Sequence, residues 1–343
     1  MAIKDRIERR VAPAIMKLPH RALRKMAGDP LVIDGRTLDV RLQLAAKQAA
    51  RNPPLSSLDV PTARAAANDG LAQGNGPRAA GVAVRDRAIG THGLRVRIYQ
   101  PPEAEGHGPG VVFFHQGGFV VGDLDSCDTF CSRLSAELGA VVVSLDYRLA
   151  PDHRYPAQAD DADEAWTWVV EHADALGIDP NRLAVCGDSA GGQMSATLSQ
   201  RLRDAGDGVQ PCAQVLIYPF VDATADDGSM VSCADTFPLS TDTMDWFESQ
   251  YLADGADRAD PSISPALAPS LAGLPPAIVV TAGFDPLRDQ GLSYALALRA
   301  AGVHVIDRCE DSLSHSFLSF GGLVPDAAAA QGRILDDLRP LLA

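Results

Sequence analysis

The turn Gly187-Asp188-Ser189-Ala190-Gly191 constrains this chain more than any other feature. It follows an apolar run, Arg182-Leu183-Ala184-Val185-Cys186, and precedes a stretch that reads as a helix, Gly192-Gln193-Met194-Ser195-Ala196-Thr197-Leu198. A strand that enters a helix through G-x-S-x-G holds its serine on a tight, strained turn. The hydroxyl stands clear of the sheet edge and the helix N-terminus is aimed at it. Flanking residues must be small, because they lie close to neighbouring backbone. Alone the pattern is weak. A second motif strengthens it: His115-Gln116-Gly117-Gly118-Phe119 directly follows Gly110-Val111-Val112-Phe113-Phe114, which has the pattern of a buried strand. A glycine-rich loop in that place can aim backbone N–H groups at a carbonyl oxygen that becomes an oxyanion under attack. The plainer reading is a Gly-rich turn after a strand.

From residue 110 onward, apolar runs alternate with amphipathic stretches. Strands are expected at 110–114, 140–146, 182–186, 213–217, 277–281 and 303–308, and helices at about 125–138, 157–174, 190–204, 288–300 and 327–342. Ala140-Val141-Val142-Val143 and Ala277-Ile278-Val279-Val280 are continuously apolar, so both faces are buried. That pattern predicts an α/β fold with a mostly parallel sheet covered by helices. Val82-Ala83-Val84 and Leu94 to Tyr99 alternate as half-buried antiparallel strands do. Residues 1–75 read as helices broken by loops such as Asn52-Pro53-Pro54, and Gly74-Asn75-Gly76-Pro77 reads as a turn into the first strands. A stretch at about 221–258 breaks the alternation; it is rich in Asp, Ser and Thr and then carries Met244, Trp246, Phe247, Tyr251 and Leu252.

With 343 residues, 46% hydrophobic and 22% charged, the chain is long enough for a large single core with a smaller lid. A net charge of −14 argues against nucleic acid and anionic membranes as partners. No stretch approaches the roughly 18 apolar residues of a membrane span, and the N-terminus lacks a continuous apolar segment, so neither a secretory leader nor stable membrane insertion is expected. Ile3, Ile7, Val11 and Ile15 form one apolar stripe, which suits a helix packed on its own protein or, as the minority reading, one lying on a membrane surface. The six cysteines include no C-x-x-C pair. Cys127 and Cys131 are four apart without a histidine to complete a zinc pattern, so no metal and a reducing cytoplasm are expected.

Together the two motifs resemble those of the hormone-sensitive-lipase family of α/β-hydrolase carboxylesterases. Further segments carry the resemblance: Asp146-Tyr147-Arg148-Leu149-Ala150-Pro151-Asp152-His153 with Tyr155-Pro156-Ala157 and Asp160-Asp161, then Asp260-Pro261-Ser262-Ile263-Ser264-Pro265, Gly283-Phe284-Asp285-Pro286-Leu287-Arg288-Asp289, and Ser314-His315-Ser316-Phe317. It covers roughly residues 80–340. It implies an α/β-hydrolase fold with a helical cap: 1–75 as the N-terminal part of the cap, 221–258 as its second segment, and 76–220 with 259–343 as the catalytic domain. It also implies that the N–H groups of Gly117, Gly118 and Ala190 form the oxyanion hole. Three positions depart from the family pattern: Gln116 replaces the first glycine of the oxyanion triplet, Ser316 replaces the glycine after the histidine, and Asp152 replaces a glutamate.

A serine hydroxyl needs a base to remove its proton, and the base needs a third group to fix its tautomer. The order Ser, acid, His of this fold is met by Ser189, Asp285 and His315. Asp285 and His315 each follow an expected strand, at the carboxyl ends where α/β folds place ligands. Asp289, the nearest rival acid, is expected inside the next helix. His20, His92, His107, His153, His172 and His304 read as surface, turn or structural residues, and the His115 ring as a brace for its loop. Phe119, Asp188, Phe220, Leu287 and Phe317 flank these loops and are the substrate-binding candidates. Asp188 reads equally as a locally hydrogen-bonded carboxylate. Trp246, Phe247 and Tyr251 either line an acyl channel or bind cap to core. Arg148 and Asp160 are expected to pair beneath the site. The activity implied is hydrolysis of small-molecule short- to medium-chain carboxylic esters through an acyl-enzyme, with no cofactor. The alternatives are an amidase or N-acyl hydrolase, a lipase with the same triad, and a non-catalytic small-molecule receptor. A homodimer through an exposed edge strand near 303–308 follows by analogy alone.

Overall fold

The expected apolar runs lie side by side in one sheet. The computed structural model describes residues 15–102 and 106–343. Its eight-stranded sheet comprises β1 (Ala83–Ile89), β2 (Leu94–Gln100), β3 (Gly108–Phe114), β4 (Val141–Asp146), β5 (Ile178–Asp188), β6 (Gln214–Ile217), β7 (Ala277–Phe284) and β8 (Val305–Ser314), in the spatial order β8-β7-β6-β5-β3-β4-β2-β1. The pairs β1–β2 and β2–β4 are antiparallel and the rest parallel, so β2 alone runs against its neighbours. Alternate side chains of β3 enter opposite layers. Val111 and Phe113 join Phe130 and Leu134, whereas Val112 and Phe114 join Val169 and Leu198. Burial on both faces removes any reason for polar alternation, which is why residues 110–114 read as a plain apolar run.

Nine helices of eight residues or more lie among the described residues: α1 (His20–Ala27), α2 (Val40–Ala49), α3 (Val60–Gly74), α4 (Asp128–Leu138), α5 (Ala157–Glu171), α6 (Ala190–Ala205), α7 (Thr241–Tyr251), α8 (Arg288–Ala300) and α9 (Pro325–Leu338). The stretch expected as one helix over 157–174 ends at Glu171, and a separate turn follows at Ala173–Leu176. The apolar stripe Ile3, Ile7 and Val11 lies outside the described residues, while Ile15 packs on Leu23, Ala27 and Val40. None of the described helices is long and apolar enough to cross a membrane.

The fold differs from expectation elsewhere too. Residues 1–75 contain a short hairpin as well as helices, Val32–Ile33 paired with Arg36–Thr37. Its turn is Asp34-Gly35, both at positive φ (51° and 75°), the conformation that Asp-Gly favours in two-residue hairpins. Strand β8 runs to Ser314, well beyond 308, because its charges find partners along its length: Arg308 pairs with Asp337 and Glu310 with Arg333 from α9, Asp307 with Arg299 from α8, and Asp311 with Arg36. Finally, Arg148 pairs with Asp161 and not with Asp160. One residue along α5 turns the side chain by about 100°, which leaves Asp160 exposed and Asp161 fully buried. Asp161 accepts from the Arg148 backbone N–H at 2.7 Å and from its Nε at 2.8 Å.

Removing the buried acid strands the Arg148 guanidinium and backbone N–H. Asp161→Ala is therefore expected to lower the unfolding free energy by about 3 kcal/mol, and Asp160→Ala by less than about 0.5 kcal/mol. Urea unfolding of both variants checks this; equal losses would mean that the pair carries no special weight.

Candidate active site

Strand β5 ends at Asp188 and α6 begins at Ala190, leaving Ser189 alone in the turn at φ 56°, ψ −116°. A non-glycine residue is strained there. Three backbone bonds hold it: Ser189 N–H donates to the Ile217 carbonyl at 2.9 Å, and the Ser189 carbonyl accepts from Gln193 N–H at 3.1 Å and Phe220 N–H at 3.2 Å. A Cβ at Gly187 would strike the Gly191 carbonyl, and one at Gly191 would strike the Phe114 carbonyl. The small residues of the motif are thus required by backbone contact.

The three residues singled out by chain order meet. Asp285 directly follows β7 and His315 directly follows β8. His315 Nδ1–H donates to Asp285 Oδ2 at 2.7 Å, which leaves Nε2 to accept from the Ser189 hydroxyl at 2.9 Å. The other Asp285 oxygen accepts from Leu287 N–H at 2.9 Å, and its carboxylate is fully buried. Asp289 lies in the first turn of α8, where it binds Ser229 N–H and Arg288.

In the loop after β3, Gly117 and Gly118 have φ of 129° and 57°. The Gly117 carbonyl accepts from the N–H groups of Val120 and Val121, both at 3.0 Å, which closes the turn. A Cβ at Gly118 would collide with the Phe247 ring of α7. His115 stacks on Tyr147 at 4.2 Å between centroids, and its Nδ1–H donates to the Gln116 carbonyl at 2.7 Å. Burial holds the imidazole below its ordinary pKa, so it stays neutral and braces the loop. Helix α3 grips the same loop: Arg64 Nε donates to the Val120 carbonyl at 2.8 Å, and Gly122 N–H donates to Asn68 at 2.9 Å. Gln116 and Ser316, two of the departures from the family pattern, bond to each other, the Ser316 hydroxyl donating to Gln116 Oε1.

A cavity of about 1140 Å³ opens over Ser189, His315, Gly117, Gly118 and Ala190. Phe119, Phe220 and Leu287 line it as expected. Asp188 and Phe317 do not, which corrects their reading as substrate-binding residues. Asp188 points behind the turn into the core, because successive side chains of a strand face opposite ways. Its carboxylate accepts from the Tyr218 hydroxyl at 2.8 Å and lies 3.5 Å from the Cys127 thiol. Burial pushes its pKa up to about 7 against the opposing pull of those hydrogen bonds. Phe317 opens the 3-10 turn Phe317–Phe320 and is fully buried, edge-on to Tyr218 at 4.9 Å. Phe247 and Tyr251 line the cavity, whereas Trp246 packs against Phe247. Tyr251 also stacks on Phe119 at 3.9 Å. Sequence reading missed the opposite wall, Ala46, Ala50, Leu55 and Leu71 from the first 75 residues, since scattered alanines and leucines carry no distinguishing signal. Among the described residues, His92, Asp161 and Glu164 form the one metal-type cluster. Arg148 occupies Asp161, while Thr91 and His92 occupy Glu164.

A family model described as the alpha/beta hydrolase fold matches residues 111–319, and the chain belongs to that family. Within it the chain is a carboxylic ester hydrolase of the hormone-sensitive-lipase type. It is 42% identical over 327 residues to the carboxylic ester hydrolase LipN of Mycobacterium tuberculosis, covering 92% of this chain and 86% of that one. It is 37% identical to an ethyl acetate hydrolase of Pseudomonas putida, covering 84% and 92% respectively. Among solved structures, a thermostable esterase from Pseudomonas putida superposes with a TM-score of 0.84 at 33% identity, over 89% of this chain and 98% of that one. A Pyrobaculum calidifontis esterase gives 0.82 at 36% identity, over 89% and 99%.

Asp188 yields a pH prediction. Its folded pKa, about 7, lies above the 3.8 of an exposed Asp. Its contribution to stability is therefore fully present below about pH 4, is lost as pH rises through about 7, and is level above that. Asp188→Asn removes this titration. The unfolding free energy of wild type minus that of the variant should fall between about pH 4 and about pH 7 and then flatten. Urea unfolding across that range measures it, and a constant difference would show that Asp188 ionises as a solvated carboxylate does.

Proposed function

We propose that the protein hydrolyses short- to medium-chain carboxylic esters through an acyl-enzyme at Ser189. The observation that carries this reading is the line Ser189–His315–Asp285, at 2.9 and 2.7 Å, opening beside a glycine-rich loop into a largely apolar cavity. His315 Nε2 takes the hydroxyl proton as Ser189 Oγ attacks the ester carbonyl. The N–H groups of Gly117, Gly118 and Ala190 hold the oxyanion. His315 then gives its proton to the leaving alkoxide, and the alcohol departs. A water loses a proton to the same nitrogen, attacks the acyl group and releases the carboxylic acid with Ser189 restored. Asp285 stays ionised throughout, fixing the tautomer and stabilising the imidazolium. The names of the relatives, an ethyl acetate hydrolase among them, support ester over amide.

The described part of residues 1–75, together with residues 221–258, acts as a cap over the catalytic residues of 76–220 and 259–343. Support comes from the walls that both segments give the cavity, and from the grip of Arg64 and Tyr251 on the loop after β3. The six cysteines are all free, which supports a reducing, cytoplasmic setting. Strand β8 forms one edge of the sheet, and a homodimer paired through this edge, near residues 303–308, is proposed by analogy with the family.

Hydrolysis of p-nitrophenyl esters from acetyl to palmitoyl tests the reading. Turnover should peak at short or medium chains, and Ser189→Ala should lower kcat on the order of 10⁵-fold. Turnover confined to long chains would favour a lipase, and equal turnover in the variant would overturn the proposal. Phe247→Ala, which clears the ring from above Gly118, should shift the preference between long and short acyl chains by about tenfold in kcat/KM; an unchanged profile would remove Phe247 from the acyl wall.

A further inference from the structure

We infer that Gln116 and Ser316 are a positioning pair that fixes the oxyanion loop against the loop carrying the base. The inference rests on the serine-esterase reading above. Gln116 immediately precedes Gly117, and Ser316 immediately follows His315. Both side chains are buried, at 2% and 5% exposure. The Ser316 hydroxyl donates to Gln116 Oε1, and Gln116 Nε2 donates to Ser319 Oγ at 2.8 Å. Ser319 in turn donates to the Ser126 carbonyl at 2.8 Å, just ahead of α4. From the other side, His115 Nδ1–H holds the Gln116 carbonyl. The Gln116 amide therefore has a partner at each end and a single orientation, and it links two loops that leave the sheet at β3 and β8.

Backbone geometry points the same way. Ser316 has φ 62°, a conformation that costs a residue with a Cβ and suits glycine. This chain keeps a serine there, and its hydroxyl is spent on Gln116. Both residues stand where the family pattern has glycine, so the two departures form one exchange: two small, flexible positions for a hydrogen-bonded pair. Either side chain alone would leave a buried polar group without its partner. Neither transfers a proton in the reaction. What they set is the distance between the base and the oxyanion donors, on either side of Ser189, where a misplacement of about 1 Å can cost on the order of 100-fold in rate.

A double-mutant cycle with p-nitrophenyl butyrate tests this, using Gln116→Gly, Ser316→Gly, the double variant, and Ser189→Ala as control. Each single variant should lose about tenfold in kcat with KM within about twofold. The double variant, with a glycine at both positions, should fall short of the product of the single losses by about fivefold or more. A second cycle with Gln116→Met and Ser316→Ala keeps volume and backbone preference, so a glycine variant that fails to fold leaves the test intact. Losses that multiply in both cycles, or that appear in KM or melting temperature alone, would overturn the inference while turnover still requires Ser189. Turnover that survives Ser189→Ala would overturn the esterase reading and the inference with it.

Discussion

The site depends on one backbone contact, the approach of the Ser189 turn to the end of β3. Gly191 lies so near the Phe114 carbonyl that a single methyl group would not fit, and Gly187 stands in the same relation to Gly191. Phe114 is the last residue of β3, and the next residue opens the loop that carries the proposed oxyanion donors. The contact therefore sets the distance from Ser189 to Gly117 and Gly118 before any side chain is considered. Holding Ser189 at φ 56° costs on the order of 1–3 kcal/mol. The surrounding sheet offsets that, since β5, β6 and β7 are buried and hydrogen-bonded right up to the turn.

On this floor stand walls of a different kind. Phe119 stacks on Tyr251, Tyr155 meets Tyr251 edge-on at 5.8 Å, and Phe247 lies on Gly118. Arg64 reaches from α3 to the carbonyls of Val120 and Ala150, at 2.8 Å each, and forms an ion pair with Asp152 at 2.8 Å. The shortened carboxylate at position 152 thus still reaches a cation. These contacts fasten helices from two distant stretches of sequence onto a single loop.

What was legible in the sequence was what is local. The strand cores, the Ser189 turn and the loop after β3 each declare themselves within a few residues, and the family resemblance of the segments around Asp285 and His315, in the order Ser, acid, His, points to those two. Direction was harder to read than position. Asp188 and Phe317 sit beside Ser189 and His315 in sequence but point into the core, Asp188 by strand alternation and Phe317 through its 3-10 turn. Asp160 and Asp161 differ by one helical step, and only the inner one finds Arg148. Strand β8 hides its length because its later residues are charged, and the partners that accommodate them come from α8, α9 and the hairpin at 32–37. The hairpin at 32–37 was readable from Asp34-Gly35, a signal that the helical pattern around it obscured. The bond between Gln116 and Ser316 joins residues 200 positions apart, and no local pattern announces it.

Floor and walls divide the work of the molecule. The floor is made of backbone contacts and a buried hydrogen-bond line, and a substitution there disturbs geometry that the chemistry needs within fractions of an ångström. The walls are side chains of α2, α3 and α7 whose volume can change without moving Ser189, Asp285 or His315. Substrate preference is therefore expected to reside in residues such as Phe247, Tyr251 and Leu71, and rate in the turn and its two neighbouring loops. Gln116 and Ser316 belong to the floor although they are side chains, because their bond does what backbone contact does elsewhere in it: it ties the loop after β3 to the loop after β8, the proposed oxyanion donors to the proposed base.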